Sequence, residues 1–169
     1  KFVPYDDIEN APEAEVQGIK VAAAQVEYET DKARYIHIDC RSHSDYTKLL
    51  TSKAVALDAA ILVVSAQDGP MPQTREHIQL ASKKGIKSIV VYINKVDLIN
   101  DAELVDLVEL EVRELLTAYG FNGKEVPFIR GSALMALVGT RNDIGGNTII
   151  ELLRAMDKRF AGNKTERRR

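Results

Sequence analysis

The fold is decided by one stretch in the middle of the chain, Ser88-Ile-Val-Val-Tyr-Ile-Asn-Lys-Val-Asp97. Its first half is a nearly continuous, β-branched apolar run, which is typical of a strand buried on both faces of a parallel sheet. Residues 60–66 form a second run of this kind. The polar residues from Asn94 to Asp97 follow the strand directly, at the end where open α/β sheets bind ligands. The stretch therefore predicts a parallel sheet with a ligand site at the carboxyl end of this strand.

On both sides of this stretch, short apolar segments alternate with longer segments of helical period. Strands are predicted at residues 21–28, 34–40, 60–66, 88–94 and 126–130. The first two are joined by a short polar link and are expected to pair as an antiparallel hairpin. Helices are predicted at residues 44–55 and 72–84, from a capping box at Asn100–Glu103 to a stop at Gly120, and from a second capping box at Thr148–Glu151. This alternation indicates an α/β fold whose mainly parallel sheet has helices on both faces.

Composition and charge exclude several classes of protein. The 169 residues are 45% hydrophobic and 28% charged, which excludes a disordered, collagen-like or disulfide-stabilised chain. A formal net charge of -2 argues against a protein whose whole surface binds nucleic acid. The single cysteine, Cys40, favours a reducing compartment. No apolar run approaches the ~20 residues needed to cross a bilayer, so no membrane span is expected.

Two polar motifs after consecutive strands suit a guanine base. In the first, the Asp97 carboxylate can accept hydrogen bonds from the ring N–H and the exocyclic amine, and the Lys95 stem can lie along the base. In the second, Gly131-Ser-Ala-Leu134, a backbone N–H from Ala133 can meet the base oxygen. Each motif alone can also be a polar strand end or a small-residue turn, but their order along the chain favours recognition of a base. The candidate guanine-binding residues are Asn94, Lys95, Asp97, Ser132, Ala133 and Leu134.

With these motifs the chain resembles the GTP-binding domain of elongation factor Tu, a translation GTPase, in its bacterial and mitochondrial form. Two further stretches carry the resemblance, Asp68-Gly-Pro-Met-Pro-Gln-Thr-Arg-Glu-His77 and Leu107-Val-Glu-Leu-Glu-Val-Arg-Glu-Leu-Leu116. It extends from Tyr5 to Phe160. The resemblance implies a Ras-like P-loop GTPase fold, in which an active member binds GTP or GDP together with Mg²⁺.

The phosphate-binding motifs of that family are absent or altered in this chain. It contains no G-x-x-x-x-G-K-[ST], so the resemblance implies that the first strand, the phosphate loop and the first helix are lacking. Lys20 stands where the family has a Mg²⁺-binding threonine, and a protonated lysine opposes the ion. The family's Asp-Cys-Pro-Gly-His is here Asp39-Cys-Arg-Ser-His43, with Arg41 beside the phosphate position and Ser42 in place of the glycine that meets the γ-phosphate. We therefore expect no hydrolysis, no resident cofactor and no metal site, with Asp39 a relic and His43 inactive.

The sequence predicts a remnant domain that belongs to a larger assembly. Residues 1–20 are expected to be an irregular arm resembling switch I, residues 21–160 the remnant domain and residues 161–169 a basic tail; the start at Lys1 looks processed or incomplete. In the family, the lacking strand lies between the strands formed here by residues 34–40 and 60–66, so both inner edges would be open. Other protein subunits are expected to cover them, in a mitochondrial assembly on the matrix side. The tail Arg167–Arg169 is either a solvated end or a contact to RNA or to anionic lipid.

Two other interpretations of the sequence stay open. The chain can be a fragment of an active GTP-binding elongation factor, which delivers aminoacyl-tRNA and has its phosphate loop in an absent segment or another chain. It can also be a regulatory module that binds guanine nucleotides weakly through Asn94, Asp97 and Ser132. Binding of nucleotide and Mg²⁺ distinguishes both from a purely structural subunit.

Overall fold

The computed structural model describes Asp6, Asn10 and residues 12–160 of the chain. The chain divides into two compact units, Lys1–Leu57 and Asp58–Arg169. The predicted basic tail, including Arg167–Arg169, lies outside the described residues, as do most of residues 1–11. Among the helices that the structure describes, none has the length and apolar character needed to cross a membrane.

The first unit is built on an antiparallel sheet with strand order β1-β2-β3. Its described elements are β1 (Glu13–Val16), β2 (Ile19–Glu29), β3 (Arg34–Cys40) and α1 (His43–Thr51). The predicted hairpin is confirmed, because β2 and β3 pair antiparallel from Ala23 opposite Cys40 to Glu29 opposite Arg34. The buried core of this unit consists of Val16, Val21, Ala23, Cys40, Leu49 and Val55.

The prediction that residues 1–20 form an irregular arm is wrong for the last part of that range. Glu13–Val16 is a strand, and residues 19 and 20 already belong to β2. The two strands are joined at Gln17 and Gly18, whose φ values of 49° and 88° are both positive, as a tight two-residue hairpin turn requires. The Gln17 side chain also fixes this turn, because its amide donates to the Ala56 carbonyl (3.2 Å) and accepts from the Ala56 N–H (2.8 Å).

The second unit is built on a parallel sheet with strand order β4-β5-β6. Its described elements are β4 (Ala59–Ser65), α2 (Pro72–Lys84), β5 (Ser88–Asn94), a 3₁₀ turn (Val96–Leu98), α3 (Ala102–Ala118), β6 (Phe128–Arg130), α4 (Ala133–Val138) and α5 (Gly146–Phe160). Both strand pairs are parallel, as predicted, and β5 is the central strand. The predicted bounds of β5 and α2 are confirmed, and Gly85 ends α2 in the left-handed conformation with φ 85°.

Three predicted helix boundaries differ from the structure. Helix α1 ends at Thr51, and Val55 instead packs into the core of the first unit. Helix α3 is capped by Asp101, one residue later than predicted, since its carboxylate accepts from the N–H of Glu103 at 2.9 Å. Helix α5 begins at Gly146, so Thr148 lies inside the helix and is not its cap.

The short helix α4 was not predicted, because its six residues stand within a segment that resembles a turn.

The prediction that residues 60–66 form a strand buried on both faces is wrong for β4. Val63 is 58% exposed, whereas the residues of β5 are buried from Ser88 to Ile93. In the described part of the chain, β4 pairs with β5 alone and is therefore an edge strand of its sheet. In the first unit β3 is likewise an edge strand among the described residues, and its Ile36 is 61% exposed. Each unit thus presents an edge strand with an exposed β-branched side chain.

Candidate guanine-binding site

The two predicted base-binding motifs meet at the carboxyl ends of β5 and β6. These strands are parallel neighbours, and the N–H of Gly131 donates to the carbonyl of Ile93 at 2.9 Å. The Oδ1 atom of Asn94 accepts hydrogen bonds from the backbone N–H of Lys95 and of Ala133, each at 2.9 Å. The Asn94 side chain therefore joins the two loops and holds them in one fixed arrangement.

The backbone after β5 turns sharply at Lys95. This residue has φ 65° and ψ 29°, in the left-handed region that a lysine rarely adopts, and it precedes the 3₁₀ turn that contains Asp97. Such strain costs of order 1–3 kcal/mol and persists where the surrounding contacts impose it. The two hydrogen bonds to Asn94 are such contacts. They hold the loop in the conformation that places Asp97 at the end of the sheet.

Ser132 and Leu134 have different surroundings in the second loop. Ser132 is 1% exposed, and its hydroxyl caps α4 by accepting from the N–H of Met135 at 3.2 Å. Its own N–H donates to the carbonyl of Ile144 at 2.6 Å. Leu134, in contrast, is exposed. Because the N–H of Ala133 already donates to Asn94, an oxygen of a bound base would share or replace that hydrogen bond.

A cavity of about 350 Å³ lies beside the first loop and is lined by Asp97. Arg141 also lines it, although no motif marks this residue within its glycine-rich loop. Its guanidinium pairs with Asp143 at 3.1 Å. The hydrogen bond to Asp143 and, more weakly, the charge of Asp97 raise the pKa of Arg141. A positive charge therefore stands near the carboxylate that is expected to recognise the base.

In the first unit, the residue that replaces the family's phosphate-binding glycine caps a helix. Ser42 has an extended backbone (φ -133°, ψ 158°), and its hydroxyl accepts from the N–H of Asp45 at 3.2 Å. The same hydroxyl donates to Asp45 Oδ2 at 2.6 Å, and this bond lowers the pKa of Asp45. The spacing Ser-x-x-Asp from Ser42 to Asp45 is the sequence signal that predicts this helix cap. His43 is the first residue of this helix.

Asp39 is held by a tyrosine within its own unit. The hydroxyl of Tyr46 donates to Asp39 Oδ1 at 2.5 Å, and burial together with this carboxylate raises the pKa of Tyr46. The neighbouring Cys40 is buried, and burial followed by the charges of Asp45 and Asp39 raises the pKa of its thiol to about 12. Lys20 lies in β2 opposite Glu15. Tyr46 and Cys40 thus serve the packing of the first unit, whereas Lys20 is exposed.

Replacing Ser42 with alanine tests the capping role. We expect the free energy of unfolding to fall by about 1 kcal/mol, because two hydrogen bonds at the start of α1 are lost. Urea unfolding monitored by circular dichroism measures the change. Ser44→Ala is the matched control, since Ser44 is exposed in the same turn, and it is expected to change stability by less than about 0.5 kcal/mol. Equal losses in both variants would contradict the cap.

The parallel sheet, its flanking helices and the two joined loops define the class of this domain as a Ras-like α/β GTPase fold. The family model described as "Elongation factor Tu GTP binding domain" matches residues 4–161. Since this match covers most of the chain, the protein belongs to the family of elongation factor Tu GTP-binding domains.

The described residues at the predicted base site fit a guanine base, whereas those at the predicted phosphate site do not fit the phosphates. The two loops that are predicted to recognise a base are joined by the hydrogen bond from the Ala133 N–H to Asn94 Oδ1, and Asp97 lines an adjacent cavity. The phosphate-motif residues do not fit, because Ser42 is extended and caps a helix while Asp39 accepts a hydrogen bond from a tyrosine. In the part of the chain that the structure describes, no three His, Cys, Asp or Glu side chains are grouped closely enough to hold a metal ion.

Proposed function

We propose that this chain is a non-hydrolysing elongation factor Tu-like domain that acts as a structural subunit of a larger assembly in the mitochondrial matrix. The observation that carries the proposal is the conversion of the phosphate motif at Ser42 into a helix cap. Phosphoryl transfer in this class depends on backbone and Mg²⁺ contacts to the phosphates, which supply nearly all of the catalysis. A Ser42 hydroxyl bonded to Asp45, with Arg41 next to it, does not provide such contacts.

Phosphate release by the purified full chain with GTP and Mg²⁺ tests the loss of hydrolysis. We expect a rate no higher than that of heat-denatured protein. The matched variant is Asp97→Asn, which removes the carboxylate expected to recognise the base and retains the side chain's size. Mg²⁺-dependent release that Asp97→Asn abolishes would overturn the proposal.

The two edge strands support the structural part of the proposal. Edge strands with exposed β-branched residues present unpaired backbone groups and promote association with other chains. Val63 in β4 and Ile36 in β3 are side chains of this kind. We infer that strands of other protein subunits pair with these edges. The mitochondrial location rests on the resemblance to the bacterial and mitochondrial form, and contact of Arg167–Arg169 with RNA stays a prediction.

Sedimentation of the tagged chain from mitochondrial extracts tests the structural role. We expect the chain to sediment with a large particle, and Val63→Lys to shift it to the light fractions because a charge is placed on the edge strand. Val138→Lys is the matched control, since Val138 is 55% exposed but lies in helix α4, and it is expected to sediment with the particle. The proposal would be contradicted if the wild-type chain sediments in the light fractions, or if both variants sediment in the same fractions.

A second candidate function is guanine-nucleotide binding without a structural role, and the two hydrogen bonds to Asn94 Oδ1 favour it. Titration with a fluorescent guanine nucleotide distinguishes the candidates. Micromolar or tighter binding that requires Mg²⁺ indicates a fragment of an active GTPase. Weak binding that is independent of Mg²⁺ and lost in Asp97→Asn indicates a regulatory module. The structural proposal predicts no saturation at nucleotide concentrations up to about 1 mM.

A further inference from the structure

The outer edge of β4 carries backbone groups that have no strand neighbour. Among the described residues, β4 pairs with β5 alone, in an unbroken parallel register. The N–H of Ala66, just after the strand, donates to the carbonyl of Asn94 in β5 at 2.8 Å. Since successive residues of a strand direct their N–H and C=O groups to opposite sides, the even-numbered residues of β4 bond to β5. The backbone groups of Ile61 and Val63 therefore point outward from the sheet.

β4 lacks the features that usually prevent an edge strand from pairing with another chain. Its sequence, Ala59-Ala-Ile-Leu-Val-Val-Ser65, contains no charged residue and no proline, and its one-to-one register with β5 contains no bulge. The edge strand of the first unit, β3, does contain charged residues, at Arg34 and Asp39. The Val63 side chain in β4 is also exposed. β4 is therefore the edge that is more open to pairing with a further strand.

The sequence of β4 is complementary to itself when two copies run antiparallel about Leu62. All 7 residues of the strand pair in this register, and Val63 of each copy lies opposite Ile61 of the other. These two side chains are on the same face of the sheet, because they are two residues apart in the strand. The nearest charged residue, Asp58, falls opposite Ala66, so no like charges meet. A two-fold axis at Leu62 thus gives each copy the same contacts.

The outward backbone groups match in the same register. Ile61 of one copy and Val63 of the other both point at each other, so they form hydrogen-bonded pairs on each side of the axis. The Ser65 N–H can donate to the carbonyl of Ala59 in the second copy, whereas the Ser65 carbonyl already accepts from the N–H of Gly69 at 2.9 Å. The register therefore provides about six backbone hydrogen bonds.

We propose that β4 pairs with β4 of a second copy of this chain, which joins the two β4-β5-β6 sheets into one continuous sheet. This inference rests on the structural role proposed above and names the subunit at one of the two edges. Val63, which is exposed in the single chain, packs against Ile61 of the second copy. One pair of short strands buries less than the ~800 Å² per partner of a standard interface, so we expect a Kd in the micromolar range.

Sedimentation velocity of the purified full chain at about 1 to 100 µM tests the proposal. We expect an equilibrium between monomer and dimer. Val63→Pro is expected to weaken dimerisation at least about tenfold, because it removes an outward N–H and leaves the hydrogen bonds to β5 in place. Val63→Thr is the matched control, since it retains the N–H and the β-branched shape, and it is expected to change the Kd less than about threefold. Circular dichroism of each variant shows that it is folded before it is sedimented.

Cross-linking through an introduced cysteine tests the register without a proline in the strand. Leu62→Cys places the thiols of the two copies directly opposite each other, with Cβ atoms about 4.5–5.5 Å apart. Val63→Cys is the control, because its thiol is more exposed but is displaced by two residues from that of the second copy. Under mild oxidation we expect Leu62→Cys to form a disulfide-linked dimer faster than Val63→Cys. The natural Cys40 is buried, so the wild-type chain gives the background.

Three results would overturn the proposal. They are the absence of a monomer–dimer equilibrium, equal weakening by Val63→Pro and Val63→Thr, and cross-linking of Val63→Cys at least as fast as that of Leu62→Cys. Sedimentation from mitochondrial extracts separates this inference from the structural role. A chain that is monomeric when purified but sediments with a large particle contradicts the dimer alone, whereas a dimer that stays in the light fractions contradicts the structural role alone.

Discussion

Replacing Gly131 with alanine is expected to lower the free energy of unfolding by about 3 kcal/mol. A Cβ atom at this position would collide with the hydroxyl groups of Tyr92 and Thr148. These hydroxyls are buried and hydrogen-bonded to each other at 2.8 Å, and Thr148 also donates to the carbonyl of Gly145 at 2.7 Å. The collision cannot be relieved without breaking this buried pair or moving α5 away from the sheet. Guanidinium chloride unfolding, followed by tyrosine fluorescence, measures the loss.

Gly146→Ala is the matched control for this prediction. The nearest atom to a Cβ at Gly146 is 3.7 Å away, which is an ordinary contact, and the residue lies in α5. Alanine favours the helix over glycine, so stability is expected to stay unchanged or to rise by up to about 1 kcal/mol. If both variants lose the same stability, the cause is not the collision at Tyr92 and Thr148.

This pair of glycines shows which part of the site the sequence can predict. The motif that begins at Gly131 predicts a small-residue turn that suits a base, and its proximity to Asn94 follows from two consecutive parallel strands. The collision partners could not be predicted, because Thr148 comes from a helix whose start was misplaced by its apparent capping box. A capping signal is local, whereas the position of Thr148 beside Tyr92 depends on how α5 packs on β5 and β6.

The same distinction explains which elements of the fold were predicted. The bounds of β5 and α2 follow from a β-branched run and from a proline and a glycine at the helix ends, which are local signals. The exposure of β4 was not predicted, because its run of apolar residues resembles that of β5. Whether such a run is buried depends on its neighbours in the sheet, and β4 has one strand neighbour among the described residues whereas β5 has two. Val63 is therefore exposed despite its sequence context.

Replacing Glu109 with glutamine is expected to lower the free energy of unfolding by about 2 kcal/mol at neutral pH. The Glu109 side chain is 17% exposed, and its carboxylate accepts from two arginines. Oε1 accepts from Arg113 Nε and Nη2 at 2.9 and 2.7 Å, and Oε2 accepts from Arg130 Nε and Nη2 at 2.9 and 2.6 Å. Arg113 in turn donates to the carbonyl of Val126 at 3.1 Å. The carboxylate thus ties α3 to β6 and to the loop before it, and an amide cannot accept on both sides.

The contribution of the Glu109 carboxylate to the free energy of unfolding is expected to disappear in acid. Burial alone would raise its pKa, but the hydrogen bonds and charges of Arg130 and Arg113 outweigh burial and lower the pKa below the ordinary value of 4.5. A carboxylate with a lowered pKa stabilises the folded state above its unfolded-state pKa, and this stabilisation is lost as the pH falls through the folded-state pKa. The difference between the wild-type chain and Glu109→Gln should therefore shrink from pH 7 to about pH 3.

Urea unfolding at both pH values measures this difference, with Glu114→Gln as the control. Glu114 is exposed on the same helix, so its replacement is expected to change stability by less than about 0.5 kcal/mol at either pH. A difference for Glu109→Gln that is as large in acid as at neutral pH would mean that the glutamine disturbs packing and that the charge contributes little. A difference confined to neutral pH would show that the ionised carboxylate holds the two arginines, and with them the strand that carries Gly131 and Ser132 to the candidate site.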